Sequence, residues 1–179
     1  MTLWRRSKLS RQPTPVARPA IWVSTGLLDR TADVLRASGD GHEAHEGVAY
    51  WAGHRAGGET FVTTCIAPFA VTTWGSFDTS VHTNARVVMY LASAGLELIG
   101  QVHSHPGKAV DHSEGDDARA LMPYEGFLSI IAPHYARRGI RPIAICGVHV
   151  FENSKFRRLG TPEIEACFHV VDDFADLRP

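Results

Sequence analysis

Cysteine is scarce in this chain. There are three, Cys65, Cys146 and Cys167. The number is odd and no two have metal-type spacing, so neither a disulfide framework nor a thiolate zinc site is suggested. A reducing cytoplasm is then the expected compartment. Each cysteine reads as a small buried hydrophobe. Long apolar runs are also missing. None approaches the roughly 18 residues that a membrane-spanning helix needs. Nor is there an excess of charge of one sign: 18 basic and 19 acidic residues leave a net charge of −1. That balance gives no electrostatic case for nucleic acid or an anionic membrane as partner. Repeats and low-complexity segments are absent outside the first residues.

Those first residues have an absence of their own. Positions 1–19 carry five basic side chains and no acid. Arg5-Arg6 could open a twin-arginine signal, but no apolar segment follows, which argues against export. A flexible basic tail over 1–19 is the expectation. The rest, 20–179, is the length of one domain with a core of its own.

What is present points to strands and helices in mixed order. Ala20 to Val23 reads as a short strand, and Ser24 can cap a helix running to about Ser38. In that helix Leu27, Leu28, Thr31, Val34 and Leu35 share one face. Val48 to Ala52 and Thr60 to Ile66 read as strands, and Gly57-Gly58 makes a hairpin between them plausible. Pro68 to Asp78 reads as a loop carrying Trp74. Thr79 to Ala94 is helical, with Val81, Ala85, Val88, Met89 and Ala92 on one side. Later strands are expected at 96–104, Phe127 to Ala132 and Ile143 to Phe151, with Phe156 to Leu159 pairing back. The last twenty residues are ambiguous, with Phe168 to Val171 leaning to strand. Without a regular alternation of strand and helix, the class is α+β with a mixed or antiparallel sheet.

The chemistry gathers in Leu98-Ile-Gly-Gln-Val-His-Ser-His-Pro106 and Ser113-Glu-Gly-Asp116. In a strand, residues two apart project to the same face, so His103 and His105 point together and Ser104 points away. Pro106 ends the strand. Ser113 can cap a helix, with Asp116 in its first turn. There Asp116 can reach back to the two imidazoles. Two imidazoles and one carboxylate leave a tetrahedral zinc one open position, the layout of a catalytic site. The plainer reading of Ser-x-x-Asp is a capping box at a helix start. His112 and Asp111, beside the motif, are candidate supports for the ligands. A solvent-exposed loop is the simpler expectation for both.

His-Ser-His-Pro-Gly followed by Ser-x-x-Asp resembles the signature of the JAMM, or MPN+, zinc metalloproteases. That family has an upstream glutamate followed by a glycine seven residues later. Glu46 and Gly53 fit this frame, with Ala49 where a second glycine is usual. The resemblance covers about Trp22 to Val150. It implies an MPN-like (cytidine-deaminase-like) curved mixed sheet flanked by helices. It also implies one catalytic zinc on His103, His105 and Asp116. Glu46 would be the general acid–base and Ser113 the oxyanion donor, with Glu43 a rival to Glu46. The implied reaction is cleavage of peptide or isopeptide bonds after the C-terminal tail of a ubiquitin-like protein, in the manner of a deubiquitinase. The bacterial branch implies a role in ubiquitin-like conjugation for phage defence. Two alternatives stand beside it: a maturation protease for a sulfur-carrier protein, and a non-catalytic MPN scaffold.

Overall fold

A computed structural model describes residues 19–38, 43–113, 115–116 and 120–173. The basic tail, apart from Pro19, and His42 lie outside the described residues. The chain begins with β1 (Ile21–Ser24), α1 (Thr25–Arg36), β2 (Val48–Ala56) and β3 (Glu59–Ile66). There follow β4 (Val71–Thr73), β5 (Ser76–Asp78), α2 (Val81–Ala94) and β6 (Glu97–Ser104). The last elements are β7 (Leu128–Ala132), β8 (Gly147–Glu152), β9 (Lys155–Arg158), α3 (Thr161–Cys167) and β10 (Phe168–Val171). Eight strands form one curled mixed sheet in the order β10-β1-β3-β2-β6-β7-β8-β9. The pairs β1–β10, β1–β3 and β6–β7 are parallel, and the other four are antiparallel. The class is α+β, as the mixed element order implied.

Local rules account for the start of the chain. Ser24 accepts a hydrogen bond from the Leu27 N–H and caps α1. Leu28, Thr31, Ala32 and Leu35 are buried on its inner face. The fully buried Trp51 donates its indole N–H to Thr31 Oγ1 at 2.9 Å, which ties α1 to the centre of the sheet. Gly57 and Gly58 both have positive φ, 61° and 81°, as a two-residue type I′ hairpin requires.

Three segments differ from the sequence reading, and the ambiguous end of the chain resolves into a helix followed by the expected strand. The segment 68–78 is not a plain loop: it folds into the β4–β5 hairpin, with Trp74 at the turn. Ile143–Ile145 is a 3-10 turn rather than strand, and β8 starts at Gly147. The final stretch contains α3, whose Glu163 accepts from the Gly160 N–H at 3.0 Å, and then β10. Helix α2 is present, but its buried stripe is Thr83, Val87 and Leu91. The stripe chosen for its apolarity faces out, with Val81 86% and Met89 71% exposed. Two stripes with helical spacing run along this helix. Tertiary contact with Tyr50, Ala52 and Leu121 selects the one bearing a threonine.

The two sides of the sheet have different cores. Val102 of β6 joins the cluster under α1, whereas Tyr50 of β2 joins the cluster with α2. Tyr50 stands opposite Gln101 in the register, so Gln101 and His103 face the α2 side. Cys146 and Cys167 are buried, and Cys65 is half-buried. Burial pushes the Cys146 thiol up to about 12. That makes it an inert core group at neutral pH.

Candidate metal centre

Strand β6 ends in the parallel β6–β7 pair near the middle of the sheet. Its last turn of the pleat sends His103 toward Phe77 of β5, ring centroids 5.2 Å apart. His103 is fully buried. The chain leaves the sheet at His105, whose N–H donates to the Ala132 carbonyl at 2.9 Å. His105 Nδ1 lies 3.0 Å from the Ala109 carbonyl oxygen. A carbonyl only accepts, so Nδ1 carries the proton and Nε2 presents a lone pair.

That lone pair faces other acceptors. The Nε2 atoms of His103 and His105 are 3.3 Å apart. Asp116 Oδ1 is 3.2 Å from His103 Nε2, and Asp116 Oδ2 is 3.6 Å from His105 Nε2. A tetrahedral ion with bonds of about 2.0–2.2 Å sets its ligands about 3.3–3.6 Å from one another. The two imidazole nitrogens and the Asp116 carboxylate oxygen facing each of them lie at about that spacing, and the set has the borderline character zinc prefers, so the residues fit the metal. Among the described residues this is the one group of three or more ligating side chains close enough to share an ion.

Asp116 is held from its own side. Gly115 and Asp116 are helical. The Ser113 N–H and hydroxyl both donate to Asp116 Oδ2, each at 2.8 Å, and the Asp116 N–H lies 3.2 Å from Ser113 Oγ. The capping box is therefore real, and it orients the ligand carboxylate. Burial pushes the Asp116 carboxyl up, but the adjoining His103 and His105 imidazoles and the Ser113 N–H outweigh it and hold it well below the usual carboxylate range. Burial lowers His103. Burial also opposes charge on His105, yet Asp116, Glu46 and the Ala109 carbonyl together raise it. The site thus offers an ionised carboxylate and attracts positive charge.

Glu46 is 95% removed from solvent, at 5% exposure, and its charge acts on His105. Its backbone is gripped on both sides. The Glu46 N–H donates to the Thr73 carbonyl of β4 at 2.8 Å. Next to it, the Gly47 N–H donates to Ser104 Oγ at 2.9 Å, and Gly47 O accepts from the Ser104 N–H at 3.1 Å. A side chain at 47 would meet the Leu35 carbonyl of α1 at 2.5 Å, so only glycine fits there. Ser104, expected only to point away from the two histidines, is what joins the glutamate segment to the ligand strand. Its alternation with His103 was the signal: pointing away from the ligands means pointing at Gly47.

The neighbouring polar residues separate clearly. His45 Nδ1 contacts Thr72 Oγ1 at 3.1 Å, a structural role against the hairpin. Glu43 is exposed. Asp111 is exposed and pairs with Arg158. His112 is not a solvent-exposed loop residue. Its Nε2 lies 2.7 Å from Ser129 Oγ, and its ring meets those of His149 and Phe156.

The family model for prokaryotic homologues of the JAB domain matches residues 28–146, more than half of the chain. This chain belongs to that family. The metal centre, the glutamate segment and the parallel β6–β7 pair all fall inside the match, and the JAMM resemblance stands. A protein of Sinorhizobium fredii described as a probable metalloprotease is 35% identical over 101 residues, 54% of this chain. The chain spans 62% of that relative's length. Among solved structures, a solution structure from Desulfitobacterium hafniense aligns with a TM-score of 0.59 at 15% identity, covering 86% of this chain and 94% of that one. It shares the fold. A JAB1/MPN domain protein from Archaeoglobus fulgidus aligns over 87% of this chain and all of its own at 19% identity, with a TM-score of 0.47. No helix among the described residues of this JAB-domain protein is long and apolar enough to cross a membrane.

Proposed function

We propose that this protein is a zinc-dependent hydrolase that cleaves peptide or isopeptide bonds after the C-terminal tail of a ubiquitin-like protein. The observation that carries the hydrolase reading is the set of three ligating side chains, His103, His105 and Asp116, with donor atoms 3.2–3.6 Å apart and a buried glutamate beside them. A non-catalytic scaffold has no need of that set. Bound zinc would supply Lewis acidity and make water acidic enough to be deprotonated near neutral pH. Glu46 would take a proton from the attacking water and return it to the leaving amine. His103, His105 and Asp116 would hold the metal.

Ser113 has a second function in this scheme. Its hydroxyl donates to Asp116 Oδ2, but so does its N–H. The hydroxyl can therefore turn to a developing oxyanion while the N–H keeps the carboxylate in place. Ser113→Ala is expected to lower stability by about 0.5–2 kcal/mol through the lost cap. Turnover is expected to fall about 10²–10³-fold, with zinc content unchanged. Rates and thermal melts on one preparation check this, and turnover near that of the parent would leave Ser113 as a cap alone.

The family resemblance and the surface beside Glu46 support this substrate class. The β4–β5 hairpin is bonded to Glu46 through Thr73 and presents Trp74, 69% exposed. An extended tail can add to such a hairpin edge as a strand, with Trp74 as a wall of the groove. A cytoplasmic conjugation system used in phage defence is the setting this reading favours. The test is incubation with fusions of the ubiquitin-like and sulfur-carrier proteins encoded near its gene. Cleavage directly after the ubiquitin-like tail, lost with a chelator and restored by zinc, is the expected result. Processing of the sulfur carrier alone would reassign the substrate, and no processing of either would overturn the proposal.

A further inference from the structure

The loop between the two halves of the metal centre is unusually well anchored. It leaves β6 at His105 and returns at Ser113. Within it Ala109 offers the carbonyl that meets His105 Nδ1 at 3.0 Å. The three residues after Ala109 each meet the β7–β9 side of the sheet. The Val110 carbonyl oxygen occupies the place where a Cβ on Gly147 would stand, 1.8 Å from that position. Asp111 pairs with Arg158 of β9. His112 enters a slot between Ser129 of β7, His149 of β8 and Phe156 of β9. Its Nε2 is 2.7 Å from Ser129 Oγ, and its ring centroid is 4.4 Å from His149 and 4.5 Å from Phe156.

These anchors are not equal. The Asp111–Arg158 pair is solvent-exposed at both ends, 72% and 47%, and exposed pairs contribute little. Val110 packs but has no direction in its side chain. His112 has both a directional hydrogen bond and two ring contacts. It is adjacent to Ser113 and four residues before Asp116. His149 is buried and pushed down to about 4 by that burial, with His112 adding to the effect. It meets His112 as a neutral ring at neutral pH.

We propose that His112 is a positioning residue for the metal centre. Seated against Ser129, His149 and Phe156, it sets the path of residues 109–113. That path aims the Ala109 carbonyl at His105 and the Ser113 turn at Asp116, so two of the three ligands take their orientation from one anchor. Outer groups that orient ligands in this way govern metal affinity. His149 and Phe156, two of the three groups that seat His112, lie beyond the residues matched by the family model. The inference rests on the metal reading above.

Cobalt(II) tests it without a substrate. Titrating the metal-free full chain with Co²⁺ reports affinity, and the visible absorption band reports ligand geometry. His112→Phe keeps a ring between His149 and Phe156 but cannot bond Ser129. Ser129→Ala removes the same bond from the other side and leaves the ring in place. Both are expected to melt near the parent, to bind Co²⁺ about 10–100-fold more weakly, and to show an altered band. The double variant should be no weaker than the worse single one, because both remove one interaction. Should His112→Phe fail to fold, Ser129→Ala carries the same expectation. Parent-like affinity and band in the variants would overturn the positioning role while leaving the metal site intact. A parent chain that takes up no Co²⁺ would overturn the metal reading itself, and this inference with it.

Discussion

His103→Ala and Asp116→Ala are each expected to yield a chain that purifies without stoichiometric zinc and has no measurable cleavage. The parent should carry about one zinc per chain, because the site offers three protein ligands. Removing one leaves two donors, too few for a catalytic zinc site. The two variants fail for different local reasons. His103 is fully buried, and its loss removes an imidazole from the packed floor of the site. Asp116→Ala also breaks the box with Ser113, whose N–H and hydroxyl both donate to Oδ2. The second variant should therefore lose some helix-start stability along with the metal. Elemental analysis of protein prepared without chelator, with melts in parallel, measures both effects. Full zinc retention in both variants would sink the ligand assignment.

Glu46→Gln is expected to be nearly as severe in rate and quite different in every other property. The amide keeps the shape of the carboxylate but cannot accept the proton. Loss of a general acid–base typically costs about 10²–10⁴-fold. Zinc content should stay at the parent level because Glu46 is not among the three ligands. The melting temperature should hold or rise slightly, since a buried charge is replaced by a neutral group. The backbone at this point is held by Thr73 on one side and, through Gly47, by Ser104 on the other. A firmly held base is what proton transfer requires. Glu43 is exposed, and Glu43→Gln should cleave almost normally. Side-by-side rates decide: an inactive Glu43→Gln with an active Glu46→Gln would show that the base is Glu43 and not Glu46.

Much of the site could be read from the chain because its geometry is local. Two histidines two apart in a strand must share a face, and a serine three before an aspartate at a helix start must meet it. His103, His105, Ser113 and Asp116 follow from those two rules. The same holds for the Ser24 cap and the Gly57-Gly58 hairpin, each decided within a few residues. Glu46 was reached through a family frame rather than through local geometry.

What the tertiary structure decided lies between segments far apart in sequence. The outward face of α2 is one case: two stripes had the right period, and contact with Tyr50, Ala52 and Leu121 chose between them. The pairing of β10 beside β1 joins the two ends of the described chain, Ile21 opposite Phe168. Ser104 could be known to point away from the ligands, but not that Gly47 would be waiting there. His112 looked like loop because its partners Ser129, His149 and Phe156 come from three later strands. Periodicity and capping are properties of a dozen neighbouring residues. Which surfaces then meet is decided by burial summed over the whole domain, and no window of that size contains it.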